Sequence, residues 1–182
     1  RNMTHYFITG ASSGIGAALA TRLCKNGHKV SAVARRDGRL ATMANKLLGF
    51  WSSGCDVTKA NQLAKSVAAS ETAQGSIDVA ILNAGIYQPQ DGSTIDPAIY
   101  ASHMDVNYMG VVNALAAIVP RMIARGGGHI VIMSSVAGWR GLPKSAAYGP
   151  TKAALISLAE SLHFDLQPKG VRLQVICPGF VE

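Results

Sequence analysis

Short apolar runs that do not alternate, each separated by enough chain for a helix, constrain this sequence more than any other feature. Val79-Ala80-Ile81-Leu82 and Ile130-Val131-Ile132-Met133 are continuous apolar stretches. A strand of that kind is covered on both faces, the condition of a strand inside a parallel sheet. Tyr6 to Thr9, Lys29 to Ala34, Phe50 to Cys55 and Arg172 to Ile176 complete a set of six expected strands, the third of them weak in pattern. Between them the spacing predicts helices over Gly14 to Asn26, closed by Gly27, and over Asp37 to Leu48. A third opens after Asp56-Val57 with Thr58 as its N-cap. A fourth runs from Asp96 to about Arg125, interrupted near Pro120, and a fifth from Pro150 to Leu166, stopped by Pro168 and Gly170. Parallel neighbours need helical crossovers, so the pattern predicts an α/β chain with a doubly wound, Rossmann-like parallel sheet in three αβα layers. No internal repeat or linker divides it, and 182 residues suit one domain, 1–182.

The first strand runs into "ITGASSGIGAALA". Gly10 permits a sharp turn, Gly14 lets backbone approach a ligand, and Gly16 lets the following helix pack closely. A helix N-terminus presents N–H groups and positive dipole to such a turn, where a pyrophosphate can sit. Gly10, Ser12, Ser13, Gly14, Ile15 and Gly16 form the candidate cofactor-binding turn. The G-x-x-x-G-x-G spacing differs from the G-x-G-x-x-G fingerprint, and no P-loop Gly-Lys-Ser/Thr follows. In this fold the second strand ends beside the adenosine ribose. Here it reads Val33-Ala34-Arg35-Arg36, with no carboxylate for a free 2′-hydroxyl; a guanidinium pairs bidentately with a 2′-phosphate. Arg35 therefore favours NADP(H), with NAD(H) possible. The competing reading is a solvated basic loop, with Asp37 available to pair with a neighbouring arginine.

Tyr148 and Lys152 stand at i, i+4, one helix face apart by about 6 Å along the axis. A phenol near pKa 10 is a poor acid at neutral pH, and a neighbouring ammonium pulls it down. Pro150 presets a helix start that fixes Tyr148 just ahead of it. "HIVIMSSVAG" puts Ser134 and Ser135 at the C-terminal edge of the fifth strand, where open α/β sheets bind ligands. Ser134 reads as a strand-capping turn. Ser135 can hold a substrate carbonyl beside Tyr148. Gly138, Trp139, Leu142 and Pro143 are expected to line one wall.

Taken together, Thr9-Gly10-x-x-x-Gly14-x-Gly16, Asn83-Ala84-Gly85, Asn107, Ser135, Tyr148-x-x-x-Lys152 and Pro178-Gly179 resemble the short-chain dehydrogenase/reductase family from about Thr4 onward. The resemblance implies a nicotinamide-dependent oxidoreductase acting on a small carbonyl or alcohol, with Tyr148 as general acid or base. It implies that Lys152 tunes Tyr148 and binds the nicotinamide ribose, that Ser135 orients the carbonyl, and that Asn107 holds a water linking the lysine to solvent. Read by itself, Asn107 is an ordinary polar helix residue. Asn83, Ala84 and Gly85 would pack under the cofactor, Asp56 and Val57 meet the adenine, and Pro178 and Gly179 contact the nicotinamide side. Pro150 replaces a small residue common in the family, and family members usually continue for several dozen residues past Glu182. A non-catalytic dinucleotide-binding sensor or scaffold is the alternative, and it has no need of Ser135, Tyr148 and Lys152 together.

The balance of charge adds little. A net charge of +7 comes without a block of like charges or basic–aromatic interleaving, so nucleic acid is not an expected partner. No run reaches the roughly 18–20 uninterrupted apolar residues of a membrane span. The N-terminus shows no signal-peptide layout, Arg1 and Asn2 being either native or added. Cys24, Cys55 and Cys177 show neither metal spacing nor a disulfide framework, and the five histidines are scattered, so a cytoplasmic chain without a metal is expected. "AALISLAESL" and "GVVNALAAIVPRMI" are apolar around most of a helix, which calls for a partner molecule packed against them, and the resemblance implies a homodimer or homotetramer built this way.

Overall fold

The computed structural model describes residues 3–35 and 37–180. Arg36, named above with Arg35, lies outside that range, as do Arg1, Asn2, Val181, Glu182 and the Asp37 side chain.

Six strands form one parallel sheet: β1 (His5–Thr9), β2 (Lys29–Ala34), β3 (Phe50–Gly54), β4 (Val79–Leu82), β5 (Gly128–Met133) and β6 (Val171–Ile176). Their order is β3-β2-β1-β4-β5-β6. Register pairs Thr9 with Val33 on one side and Leu82 on the other, so β1 and β4 share the point where the chain changes winding direction. Ligands of such sheets bind in the crevice beyond those strand ends. The two apolar runs behave as their patterning requires: all but the first residue of β4, and Ile130 to Met133 in β5, are buried.

Helices α1 (Gly14–Lys25), α2 (Asp37–Ala44), α3 (Ala60–Gln74), α4 (Pro97–His103), α5 (Gly110–Ala124) and α6 (Gly149–Leu166) cover the two faces. One core, centred on Phe7, Leu63, Ile118, Met122 and Leu155, lies under α3, α5 and α6; the other, with Ile8, Ala20, Val30 and Leu40, lies under α1 and α2. Glu71 of α3 pairs with Arg121 at 2.8 Å and Arg125 at 3.1 Å, joining α3 to α5.

Four local expectations are corrected. α2 ends at Ala44 rather than Leu48, and turns centred on Gly49 at φ +74° lead into β3. β3 ends at Gly54, one residue before Cys55. Thr58 does not cap α3: its N–H and hydroxyl donate to the Asp56 carboxylate at 3.0 and 2.9 Å, and the helix starts two residues later. The long helix is interrupted not at Pro120, which sits inside α5, but by one π-helical turn over Met104–Met109. The stretch Pro97–Ala124 is also long and apolar enough, by length and composition, to cross a bilayer, which the run-by-run reading does not anticipate. In this fold its apolar side covers the sheet, with Val111, Ala114, Leu115, Ile118 and Met122 buried.

Candidate active site

The glycine turn is held by backbone and sterics. Gly10 adopts φ +68°, and a Cβ there would lie 2.7 Å from the Ala84 Cα. A Cβ on Gly16 would lie 2.5 Å from the Gly10 carbonyl oxygen and 2.7 Å from Asn83 Nδ2, so the first turn of α1 packs directly on the ends of β1 and β4. Gly14, at φ +53°, has no atom within 4 Å of its Cβ position. A positive φ facing open space is the arrangement that lets a ligand approach main chain closely. Thr9 Oγ1 accepts from the N–H groups of Asn83 and Ala84, both at 3.0 Å, while Asn83 Nδ2 donates to the Thr9 and Gly10 carbonyls. The NAG segment is thereby pinned to the glycine turn.

A cleft of about 580 Å³ opens beside this turn, lined by Gly10, Ser12, Ser13, Arg35, Val57 and the Asn83-Ala84-Gly85 segment, among others. Arg35 sits just past β2 with its side chain exposed. Asp56 does not line the cleft, and neither do Gly14 and Gly16. Burial alone would raise the Asp56 carboxyl, but the Thr58 hydrogen bonds, with Arg35 and Lys59 nearby, hold it below the ordinary aspartate value. Asp56 thus shares the field of Arg35 while the adjoining Val57 forms cleft wall.

A second cavity, about 710 Å³, adjoins the first and shares Asn83, Gly85 and Ile86 with it. Ile15, Ser135, Tyr148, Lys152, Pro178 and Gly179 line it. Helix α6 begins at Gly149 with Pro150 in its first turn and Tyr148 at the N-cap, as the proline implies. Lys152 is 4 % exposed; its Nζ donates to the Met133 carbonyl at 2.8 Å and lies 5.5 Å from the Tyr148 ring centroid. Ser134 is more than a turn residue: its hydroxyl donates to the Lys152 carbonyl at 2.8 Å, tying the end of β5 to α6. The Ser135 hydroxyl works against the effect of burial on the Tyr148 phenol, and its Oγ accepts from the Ala137 N–H at 3.1 Å.

Asn107 is fully buried inside the π turn. Its Oδ1 accepts from the Ile86 N–H at 2.7 Å, and its Nδ2 donates to the Ile86 carbonyl at 3.0 Å and to Thr151 Oγ1 at 3.1 Å. Thr151 in turn donates to the Tyr148 carbonyl at 2.7 Å. A Cβ on Gly85 would stand 3.3 Å from Asn107 Oδ1 and 3.6 Å from Lys152 Nζ, so the carboxamide and ammonium converge on the same glycine.

Burial, not charge pairing, dominates titration here. Lys152 is pulled down to about 8, mainly because its ammonium is buried, with Cys177 opposing. Tyr148 is raised: burial disfavours its phenolate, the Ser135 hydroxyl opposes this, and Tyr87 adds to it. The depression expected from Lys152 is therefore not a property of the free chain, whose ammonium faces the ring and the Met133 carbonyl.

Leu142 and Pro143 line the second cavity as expected, but Gly138 and Trp139 do not. Gly138 packs against α6, where a Cβ would meet the Lys152 carbonyl carbon at 2.8 Å, and Trp139 is 68 % exposed. Sequence reasoning missed Tyr87, Ser134 and Thr151. Only Tyr87, an aromatic directly after the NAG segment and Ile86, carried a signal that could have found it. Among the described residues no group of three or more His, Cys, Asp or Glu is placed to hold a metal ion, and all three cysteines are free.

A glycine turn at a winding switch, opening into a cavity that holds Ser135, Tyr148 and Lys152, defines a nucleotide-dependent oxidoreductase site, and comparison with known proteins agrees. The family model for short chain dehydrogenases matches residues 4–182. An uncharacterized oxidoreductase of Myxococcus xanthus is 36 % identical over 179 residues, covering 96 % of this chain and 71 % of that protein. The human dehydrogenase/reductase SDR family member 4 is 32 % identical, covering 96 % of this chain and 65 % of that protein. Among solved structures, serine dehydrogenase from Escherichia coli superposes with a TM-score of 0.93 at 29 % identity, covering 98 % of this chain and 83 % of that one. A gluconate 5-dehydrogenase from Burkholderia cenocepacia, solved with NADP and tartrate, gives 0.91 at 29 % identity over 98 % and 72 % of the two chains. The chain belongs to the short-chain dehydrogenase family. It is an NAD(P)-dependent oxidoreductase acting on small molecules.

Proposed function

We propose that the chain moves a hydride between NADP(H) and a carbonyl or alcohol, with Tyr148 as the proton-transferring group. The carrying observation is the juxtaposition of the two cavities: the glycine-turn cleft and the cavity holding Ser135, Tyr148 and Lys152 have Asn83, Gly85 and Ile86 in common. The open ground at Gly14 and the left-handed turn at Gly10 fit a pyrophosphate, and the cleft is bordered both by Arg35 and by residues it shares with the second cavity. Gly10, Ser12, Ser13, Ile15, Val57, Asn83, Ala84 and Gly85 would hold the dinucleotide, with Lys152, Pro178 and Gly179 at its reacting end. The bound nicotinamide supplies the hydride on reduction and takes it on oxidation.

The chain's own residues handle the proton. In reduction Ser135 donates a hydrogen bond to the carbonyl oxygen and Tyr148 Oη delivers its proton there as the carbonyl carbon becomes tetrahedral; in oxidation the phenolate takes the proton back. Burial raises the free Tyr148, so a cationic Lys152 beside a negatively developing oxygen stabilises the phenolate that proton delivery leaves behind. Asn107 holds Ile86 and α6 in register and has a remaining Oδ1 lone pair for a water linking Lys152 to solvent. Arg35 supports NADP over NAD by offering a guanidinium where a 2′-phosphate would lie, and Asp56 offsets part of that field. The gluconate 5-dehydrogenase similar to this chain was solved with NADP. A homodimer or homotetramer in the cytoplasm completes the reading, built on α5 and α6, whose outer side, with the preceding π turn, leaves Met109 and Phe164 exposed.

Titration of NADPH and NADH against the chain, followed by a carbonyl screen, tests this. Tighter NADPH binding with turnover of a ketone or aldehyde is expected. Equal affinity contradicts the role of Arg35, and nucleotide binding without turnover favours the sensor alternative.

A further inference from the structure

Tyr87 is a large aromatic, 53 % exposed, on a backbone clamped from both sides. On one side the buried Asn107 holds both the N–H and the carbonyl of Ile86. On the other, the Gln88 N–H donates to Nε2 of His103 at 3.1 Å; His103 is itself fully buried, with Nδ1 donating to the Ile99 carbonyl at 2.7 Å. Two buried polar side chains therefore fix the main chain around a residue whose ring faces the cavity. The ring meets Tyr148 edge to face, with centroids 5.1 Å apart at 61°. Aromatic pairs prefer this geometry. Much of the cavity wall is apolar, with Ile15, Ile86, Leu142 and Pro143, and among the described lining residues the one charged group, Lys152, is tied to the Met133 carbonyl.

We propose that Tyr87 is a specificity-determining residue: it positions the Tyr148 ring and packs against a flat, uncharged substituent of the carbonyl substrate. This rests on the oxidoreductase reading of the same cavity. An anionic substituent finds no free cation among the described lining residues, whereas an aryl group finds the face of Tyr87 and aliphatic walls.

The experiment compares the chain with Tyr87→Ala and Tyr87→Phe, using acetophenone and butanone as carbonyl probes. Tyr87→Ala is expected to lose roughly tenfold in kcat/KM on acetophenone relative to butanone, the size of a lost aromatic contact, and Tyr87→Phe is expected to keep the preference. An equal loss on both ketones, or an unchanged ratio, overturns the inference. A second readout is independent of turnover. The ultraviolet phenolate titration of Tyr148, isolated as the difference from Tyr148→Phe in each background, is expected to move to lower pH in Tyr87→Ala; an unmoved midpoint overturns the ring contact. If neither ketone is reduced with either nicotinamide, the functional reading fails separately. Acetophenone binding followed by ligand-observed NMR then takes the place of turnover: weakened binding in Tyr87→Ala supports the proposal, and unchanged binding overturns it.

Discussion

The two ends of the cleft are made in different ways. The glycine-turn end, proposed to take the nucleotide, is made of main chain: Gly10, Gly14 and Gly16 supply positive φ or bare approach, and Thr9 pins the NAG segment through backbone N–H groups. The end proposed to carry the reaction is made of buried side chains, Asn107, Ser134, Thr151 and Lys152, each hydrogen-bonded to a carbonyl or hydroxyl. The first end is fixed by what a Cβ would hit, so its tolerances are steric. The second is fixed by hydrogen bonds and by a desolvated cation, so its tolerances are electrostatic and depend on pH.

The largest test of that contrast is the lysine. Its folded pKa of about 8 lies below the ordinary value of 10.5, so the unfolded chain binds more protons between those limits and stability rises with pH through that window. At neutral pH the buried ammonium costs about 3 kcal/mol, the linkage equivalent of that shift. Cys24, Cys55 and Tyr148, all raised by burial, pull the opposite way in the alkaline range, so the lysine is read by difference. Urea unfolding of the chain and of Lys152→Met at pH 7 and pH 10.5 should show the variant's advantage shrinking by about that amount. A constant difference across pH would break the contrast.

Gly16→Ala tests the steric end. A Cβ 2.5 Å from the Gly10 carbonyl forces the turn or α1 to shift, for about 2 kcal/mol of destabilisation that is the same at both pH values. Arg35→Ala should weaken NADPH binding roughly tenfold and leave NADH nearly unchanged, as expected for one charge-assisted contact; isothermal titration reads both. The smallest effect is expected at Ser134→Ala, about 1 kcal/mol for one hydrogen bond to the Lys152 carbonyl, measured by the urea midpoint.

The same contrast explains what could be read from the sequence. Strand positions, the sharp turn at Gly10 and the close packing at Gly16 followed from local patterning, because apolar runs and absent Cβ atoms act where they stand. Pro150 likewise marked the start of α6. That Ser135, Tyr148 and Lys152 share one cavity was legible in the sequence, but the hydrogen-bond network around them was not. Asn107 looks like an ordinary helix residue until the π turn aims it at Ile86 and Thr151, residues 21 and 44 positions away. Pro120 misled because a proline signal is local, while the register change over Met104–Met109 accompanies this long-range contact. Gly138 and Trp139 were expected on the wall from proximity in sequence, yet the short 3₁₀ turn over Val136–Gly138 packs Gly138 on α6 and leaves Trp139 in water. The titration of Tyr148 was misjudged because residue spacing states who is near and not how deeply both groups are buried.

The most direct test of the joined cleft is Tyr148→Phe, followed in one sample for NADPH binding and for oxidation of the bound NADPH by a carbonyl compound that the unsubstituted chain reduces. Binding within about twofold of the unsubstituted chain, with oxidation slowed by roughly 10²–10⁴-fold, is the predicted result for loss of the proton donor alone. Oxidation at an undiminished rate would contradict the account.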